Sequence, residues 1–177
     1  MNERIKFSIK QSDKSDISEI MLLTARINNH LLKNNMTQWN NGYPNEEVFL
    51  SDININSQYK MLNENNKLIG FGSINKIQHL TFAEANWNDK SDNFKLIYRL
   101  GVDPDYQNQG LAGKIMDFLE NIALNDKASS IRLGALSSYQ KVVEFYKRRN
   151  YQISDEKYFP ISKMKYYLME KSLINLG

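Results

Sequence analysis

The stretch that decides the fold is residues 93–120, NFKLIYRLGVDPDYQNQGLAGKIMDFLE. Residues 94–102 are rich in β-branched and aromatic side chains, which predicts a buried strand. Asp103-Pro104-Asp105 ends that strand, because proline has no N–H to donate and restricts the residue before it. From Leu111 onward the apolar residues recur at helical spacing, which predicts a helix with one face inward.

The connection between this strand and this helix, residues 107–112 with the sequence QNQGLA, carries the chemical interest. The first N–H groups of a helix have no partner within the helix and carry a partial positive charge. Gly110 has no Cβ, so a phosphate oxygen can approach the backbone closely. The segment indicates a site for a phosphate-bearing ligand, although an ordinary β-turn-α connection has the same pattern.

Composition limits the classes of protein that this chain can represent. The chain has 177 residues with 41% hydrophobic and 24% charged side chains, which predicts a globular fold in a single domain, 1–177. The net charge of +3, with basic and acidic residues interleaved, argues against a nucleic-acid partner. Cysteine is absent and only two histidines occur, so we expect no disulfide, no thiol nucleophile and no metal site. Without a long apolar run or a basic-then-apolar leader at Met1, the expected location is cytoplasmic, with no membrane partner.

Periodicity and turn residues predict the other elements. A strand is expected at 6–10, a helix from 17 to about 33, a loop at 36–44 and a second helix at 45–53. Three strands in a meander are expected at 58–63, 67–74 and 77–85, followed by a polar loop at 84–93. After the helix that starts at Leu111, the pattern predicts a strand at 130–136, a helix at 138–149, and strands at 151–158 and 164–173.

Gln107-x-x-Gly110-x-Ala112, placed after a strand and a proline turn, resembles the acyl-CoA-binding motif of the Gcn5-related N-acetyltransferases (GNAT), R/Q-x-x-G-x-G/A. The order of elements along nearly the whole chain is also similar to that family. The resemblance implies an α/β (α+β) fold with a mixed, mostly antiparallel central sheet flanked by helices. It also implies a central strand that splays from its neighbour at the acyl-CoA site.

Three shorter segments add to the resemblance. LIGF at 68–71 is similar to a strand of the family, and WNNGYP at 39–44 resembles a stretch of some bacterial members. Phe145-Tyr146 followed by Asn150-Tyr151 resembles the late family signature A-x-x-F/L-Y-x-x-x-G-F. The chain departs from the family at Tyr139, where asparagine is frequent, and at Val142, Asn150 and Gln107. Gln107 removes a charge near the diphosphate and leaves the backbone donors intact.

The resemblance implies which residues hold acetyl-CoA, the expected co-substrate. The backbone at the end of the strand would pair with the pantetheine amides and offer an N–H to the thioester oxygen. The connection would bind the diphosphate. The residues expected to bind the cofactor are Leu100, Gly101, Val102, Gln107, Asn108, Gln109, Gly110, Leu111, Ala112 and Tyr139.

Catalytic residues follow from the same resemblance. Tyr146 would donate a proton to the leaving thiolate, since a phenol with an ordinary pKa near 10 is protonated at pH 7. Glu84 is a candidate general base, and His79 is another. Each has a structural alternative: Tyr146 could be a core residue, and Glu84 and His79 could be solvated surface groups.

Trp39 and Tyr43 are the candidates for the acceptor side, because the early helix-loop-helix forms that pocket in the family. Aromatic residues that only pin the loop are the alternative. Residues 147–149, KRR, could meet the adenosine 3′-phosphate or form a solvated helix end.

The predicted function is an acetyl-CoA-dependent N-acetyltransferase that moves an acetyl group to a primary amine of a small molecule or peptide by direct attack. The chain is expected to be a monomer or a homodimer. A non-catalytic acyl-CoA-binding or sensing module on the same fold is the first alternative. An unrelated nucleotide-binding α/β domain is the second, and the lack of a GxGxxG or GKS element argues against it.

Overall fold

A computed structural model describes residues 5–39, 42–160 and 162–174. In chain order its strands and helices are β1 (Phe7–Gln11), α1 (Ile17–Lys33), α2 (Glu46–Asn54), β2 (Gln58–Asn63), β3 (Leu68–Asn75), α3 (Leu80–Ala83), β4 (Phe94–Val102), α4 (Leu111–Asn125), β5 (Ser130–Leu136), α5 (Gln140–Lys147), β6 (Gln152–Phe159) and β7 (Met164–Ser172). Short 3₁₀ turns lie at Lys14–Asp16 and Pro104–Tyr106.

The strands form a seven-stranded sheet in the order β1-β2-β3-β4-β5-β7-β6. β1, β2 and β3 pair antiparallel, as do β5, β7 and β6. β4 and β5 are parallel, and their register runs from Phe94 opposite Ser130 to Leu96 opposite Arg132. This ladder covers three of the nine residues of β4. The predicted mixed, mostly antiparallel sheet is confirmed.

The stretch at 93–120 folds as its sequence predicts. β4 spans Phe94–Val102 and ends before Pro104, which lies at the start of the 3₁₀ turn. α4 begins at Leu111 and buries the side chains at helical spacing, namely Leu111, Ile115, Met116 and Leu119. The strands predicted at 58–63 and 130–136 also have the observed bounds. Of the loop predicted at 36–44, residues 40 and 41 lie outside the described part of the chain.

The strand predicted at 77–85 is wrong, so the predicted meander after α2 has two strands instead of three. The side chain of Asn75 accepts a hydrogen bond from the N–H of Ile77 at 2.9 Å, which forms a turn directly after β3. The N–H groups of Phe82 and Ala83 then both donate to the carbonyl of His79, forming the single helical turn α3. The apolar residues do not share a buried face, because Ile77 and Leu80 are exposed while Phe82 is buried.

The described residues group into two compact units. The first unit takes residues from 1–73 and 99–119. Side chains of α1, α2, β2 and β3 form its core, which contains Ile20, Leu23, Ile27, Phe49, Ile53, Leu62, Leu68 and Phe71. Asp13 caps the first turn, where its carboxylate accepts from the N–H of Ser15 at 2.8 Å. Asn45 caps α2 by accepting from the N–H of Val48 at 3.1 Å.

The second unit takes residues from 74–98 and 120–177. Its apolar cluster consists of Phe82, Trp87, Phe94, Leu96 and Leu168. The expectation of a single domain over 1–177 stays a prediction.

A buried ion pair anchors the loop 84–93 within the second unit. Arg132 on β5 pairs with Glu170 on β7 at 3.1 Å, and both side chains are buried. The other oxygen of Glu170 accepts from the N–H groups of Asn88 and Asp89 at 2.9 and 3.1 Å. Since buried charges require partners, this pair and its loop form one structural arrangement.

None of the helices in the described ranges has an apolar stretch long enough to cross a bilayer. Within the same ranges, His, Asp and Glu side chains form no group of three or more that could hold a metal ion.

Candidate functional site

The loop before α4 presents a row of backbone donors. The N–H of Gln107 donates to the carbonyl of Pro104, and the N–H of Lys114 donates to the carbonyl of Gly110. Between them, the N–H groups of residues 109–112 have no hydrogen-bond acceptor among the described residues. Unpaired N–H groups at a helix N-terminus attract anions, because the partial charges of the first turn add to their hydrogen bonds.

Gly110 shapes this row. Its φ is +78°, in the left-handed region that residues with a Cβ rarely adopt. A Cβ built at Gly110 would meet no heavy atom within 4 Å, so the space in front of the backbone is open. Asn108 also has a positive φ, +61°. Glycine at 110 therefore gives the loop both its conformation and an uncovered backbone.

The turn immediately before this loop is fixed by a buried carboxylate. Asp103 is fully buried, and its Oδ1 accepts from Arg26 at 2.8 Å and from the N–H of Asp105 at 3.0 Å. Lys67 Nζ lies 3.4 Å from Oδ2, an ionic contact without hydrogen-bond geometry. The side chain of Gln107 donates to the carbonyl of Val102 at 3.3 Å, which ties the loop back to β4.

The end of β4 is packed from the core side. Leu100 is half-buried, while Gly101 and Val102 are buried. A Cβ at Gly101 would lie 2.9 Å from both Ile27 Cδ1 and Phe71 Cε2, so any other residue there would require these side chains of α1 and β3 to shift. These contacts hold the end of β4 in place. That its backbone pairs with the pantetheine amides stays a prediction.

Tyr146 lies on α5 in the second unit and has a buried ring. The ring makes edge contacts with Phe145 and Tyr151, with centroids 5.2 and 5.8 Å away. Burial raises the pKa of Tyr146 to about 12, against a smaller lowering by the charge of Arg149. Its hydroxyl makes no hydrogen bond to another described residue. A protonated phenol with an unused O–H has the chemistry of a proton donor.

A polar network that was not predicted from the sequence holds Tyr151, whose ring contacts that of Tyr146. Glu120 of α4 is buried, and its Oε1 accepts from Arg149 Nε at 3.1 Å and from the Tyr151 hydroxyl at 3.2 Å. Its Oε2 accepts from Lys171 Nζ at 2.6 Å. The N–H groups of Arg149 and Tyr151 both donate to the carbonyl of Tyr146. The signal in the sequence was a glutamate on the buried face of a helix, which requires cationic or donor partners.

The other predicted site residues of the second unit are half-buried or exposed. Tyr139 is half-buried and precedes α5, where its carbonyl accepts from the N–H groups of Val142 and Val143. Glu84 is exposed at the end of α3, and His79 is exposed with its ring 6.0 Å from that of Tyr98. Their roles stay predictions.

The three cationic residues at 147–149 have different surroundings. Lys147 pairs with Glu144 at 2.9 Å, Arg149 is tied to Glu120, and Arg148 is exposed. The expected contact with a 3′-phosphate stays a prediction.

Trp39 and Tyr43 of the first unit lie between α1 and α2. The Trp39 ring stacks on Phe71 of β3 with centroids 6.0 Å apart. The Tyr43 hydroxyl accepts a hydrogen bond from Arg99 Nη1 at 3.1 Å. The first unit thus contains these two aromatic residues, the end of β4 and the donor row at 109–112, whereas Glu84, Tyr139 and Tyr146 belong to the second.

Comparison with known proteins identifies the family. The model of the Acetyltransferase (GNAT) family matches residues 25–151, which is most of the chain. No curated protein matches the chain.

Solved structures with the same fold include a GNAT-family acetyltransferase of Streptococcus agalactiae, with a TM-score of 0.80, 16% identity, and 96% of each chain covered. Another is a GNAT-family acetyltransferase of Listeria monocytogenes, with a TM-score of 0.78, 20% identity, and coverage of 94% of this chain and 95% of that one. A third is an N-acetyltransferase of Thermoplasma acidophilum in complex with coenzyme A, with a TM-score of 0.71, 15% identity, and coverage of 94% and 99%. At these identities the similarity is one of fold. The family match, over more than half of the sequence, shows that the chain belongs to the GNAT family of acetyltransferases.

Proposed function

We propose that this protein is an acetyl-CoA-dependent N-acetyltransferase that transfers the acetyl group to a primary amine by direct attack. The observation that carries the proposal is the row of unpaired N–H groups at 109–112, where Gly110 leaves the backbone open. These donors suit the diphosphate of coenzyme A. The complex of the Thermoplasma acidophilum N-acetyltransferase with coenzyme A supports the choice of ligand.

In this proposal the neutral amine attacks the thioester carbonyl carbon, and the oxygen of that carbonyl gains negative charge. A backbone N–H at 100–102 stabilises the charge as an oxyanion-hole donor. The carbon–sulfur bond then breaks, and the thiolate takes the phenol proton of Tyr146. The pKa of Tyr146, raised by burial to about 12, keeps the phenol protonated at every pH at which the enzyme would work, so its proton is present when the thiolate forms. The amine gives up its proton to solvent or, through water, to Glu84, and the Tyr146 phenolate regains a proton from solvent before the next turnover.

The experiment is a screen of amine acceptors with acetyl-CoA in which release of free thiol is followed. The panel contains a polyamine, an amino acid, an aminoglycoside, a peptide with a free N-terminus and a peptide with an internal lysine. We expect acceptor-dependent thiol release with at least one class, and mass spectrometry should find one added acetyl group on the amine. Binding of acetyl-CoA by calorimetry without acetyl transfer to any amine would instead support the non-catalytic binding module.

A further inference from the structure

Arg99 is a tightly constrained cation of the first unit. It lies inside β4 with φ +50°, a left-handed backbone that is uncommon for a residue with a long side chain. Its side chain is only 6% exposed. A charged side chain in such a position is stable only when its donors are used, so its partners show what it holds.

The guanidinium of Arg99 contacts three separate elements. Nε donates to Asp52 Oδ2 of α2 at 2.9 Å, and Nη2 pairs with the same oxygen. Nη2 also lies 3.3 Å from Ser73 Oγ of β3, and Nη1 donates to the Tyr43 hydroxyl at 3.1 Å. The rigid fork of an arginine can serve all of these at once, which a lysine cannot.

The opposite charges of Arg99 and Asp52 stabilise each other. Asp52 is buried with Arg99, so each ion is the main compensation for the other. Burial alone would lower the pKa of Arg99, but Tyr43 and Asp52 outweigh it and raise the pKa above the ordinary value. Arg99 is therefore cationic throughout the accessible pH range.

The segment that Arg99 reaches is the described part of the connection between α1 and α2, residues 34–39 and 42–45. Trp39 stacks on Phe71 and Tyr43 is hydrogen-bonded to Arg99, so both side chains join this segment to the sheet. Tyr43 is 38% exposed while its hydroxyl is held by Arg99, so the residue is both accessible and fixed. Ordering a connection of this kind requires such contacts, because its conformational entropy is lost when it is fixed.

We propose that Arg99 is a positioning residue for the amine acceptor, which fixes Tyr43, and with it residues 34–39 and 42–45, in the geometry that the acceptor meets. The inference rests on the proposed function, in which Trp39 and Tyr43 line the acceptor side. Arg99 acts through Tyr43 and does not touch the reacting atoms. Asp52 takes part by keeping the guanidinium in place.

The first test needs no acceptor. Trp39 is the single tryptophan in a Trp87→Phe background, since the chain has two, and acrylamide quenching reports how exposed its ring is. Arg99→Lys keeps a charge beside Asp52, and Tyr43→Phe removes only the hydroxyl. We expect both variants to raise the quenching constant of Trp39 by about twofold, as a half-buried ring becomes solvated. Unchanged quenching in either variant would overturn the proposal.

Arg132→Lys is the matched control. Arg132 is also a buried, acid-paired arginine on a strand, but it belongs to the second unit and holds a different loop. It should leave the Trp39 signal unchanged. An equal rise in Arg132→Lys would mean that the signal reports general loosening, which would also overturn the proposal.

The second test uses an acceptor found in the screen. The hydrogen bond from the cationic Arg99 to the Tyr43 hydroxyl is charge-assisted, and its loss corresponds to about 10- to 150-fold in an equilibrium constant. Because Arg99 acts on the acceptor through Tyr43, that factor is an upper bound, and Arg99→Lys and Tyr43→Phe should raise the acceptor KM by at least about twofold. The Kd for acetyl-CoA should stay unchanged, and an equal rise in that Kd would overturn the acceptor assignment. If no amine is turned over, the proposed function fails while the Trp39 measurement still decides whether Arg99 holds the segment.

Discussion

Replacement of Gly110 by alanine tests the ligand site, and the chain supplies a matched control. Gly42 has the same φ as Gly110, +78°, and a Cβ at either position would meet no heavy atom within 4 Å. Each Gly→Ala change therefore forces a Cβ into the left-handed region and should lower the free energy of unfolding by about 1–2 kcal/mol. Stability should respond alike in the two variants, so only the ligand distinguishes them.

The effect on coenzyme A follows from the unpaired donors at 109–112. A Cβ on Gly110 projects into the open space in front of the row and would hold a phosphate oxygen away from at least one N–H. Hydrogen bonds to charged groups contribute about 1.5–3 kcal/mol, so we expect Gly110→Ala to weaken coenzyme A binding about 10- to 150-fold. Gly42→Ala should leave the Kd unchanged.

Isothermal titration calorimetry with coenzyme A, at one fixed ionic strength, measures both constants, and urea unfolding measures both stabilities. Gly110→Asn and Gly42→Asn form a second pair with less backbone strain, because asparagine tolerates positive φ. Equal coenzyme A affinity in Gly110→Ala and Gly42→Ala would refute the placement of the diphosphate at this loop.

Three further results are expected. Tyr146→Phe should lower kcat at least tenfold at unchanged acetyl-CoA affinity, since general acid catalysis contributes ~10²–10⁴-fold, whereas Tyr158→Phe, at an exposed residue, should leave kcat unchanged. Because the pKa of Tyr146 is about 12, the kcat of the wild type should show no decline from phenol ionisation below about pH 11. Burial alone would raise the pKa of Asp89, but hydrogen bonds from Ser129, Ser130 and Ser91 lower it from 3.8 to about 2. Its stabilisation is thus complete above pH 3.8 and lost as pH falls through about 2, so the difference in unfolding free energy between wild type and Asp89→Asn should shrink between those pH values. Glu120→Gln should lower the free energy of unfolding, measured in urea, by up to ~3–5 kcal/mol, because it removes a buried charge from its partners. Glu144 is exposed, so Glu144→Gln should cost only ~0–1 kcal/mol. Equal losses in the two variants would contradict the role of the buried network.

Local sequence signals were sufficient for most of the elements. Residues 94–102 form β4 because β-branched and aromatic side chains favour a strand, and Pro104 then ends the ladder. Leu111 begins α4 with the predicted inward face, and Gly110 supplies the positive φ that the loop requires. Each of these outcomes depends on a residue and its near neighbours in the chain, which is why it could be predicted.

The strand predicted at 77–85 failed where a local pattern was ambiguous. Alternation of apolar residues predicts a strand only if those residues share a buried face. Ile77 and Leu80 are instead exposed, and the Asn75 side chain turns the chain before a ladder can continue. Burial is a property of the folded chain, so the sequence could not decide it.

Only the tertiary structure decided which polar groups are buried together. Arg99 and Asp52 are 47 residues apart in sequence, and Glu120 and Lys171 are 51 apart. No periodicity or motif links such distant residues. The chain itself specified a helix N-terminus with a glycine and a tyrosine on a late helix. The fold placed an arginine beneath Tyr43 and a glutamate beside Tyr151, because a buried charge is stable only where a distant segment brings its partner.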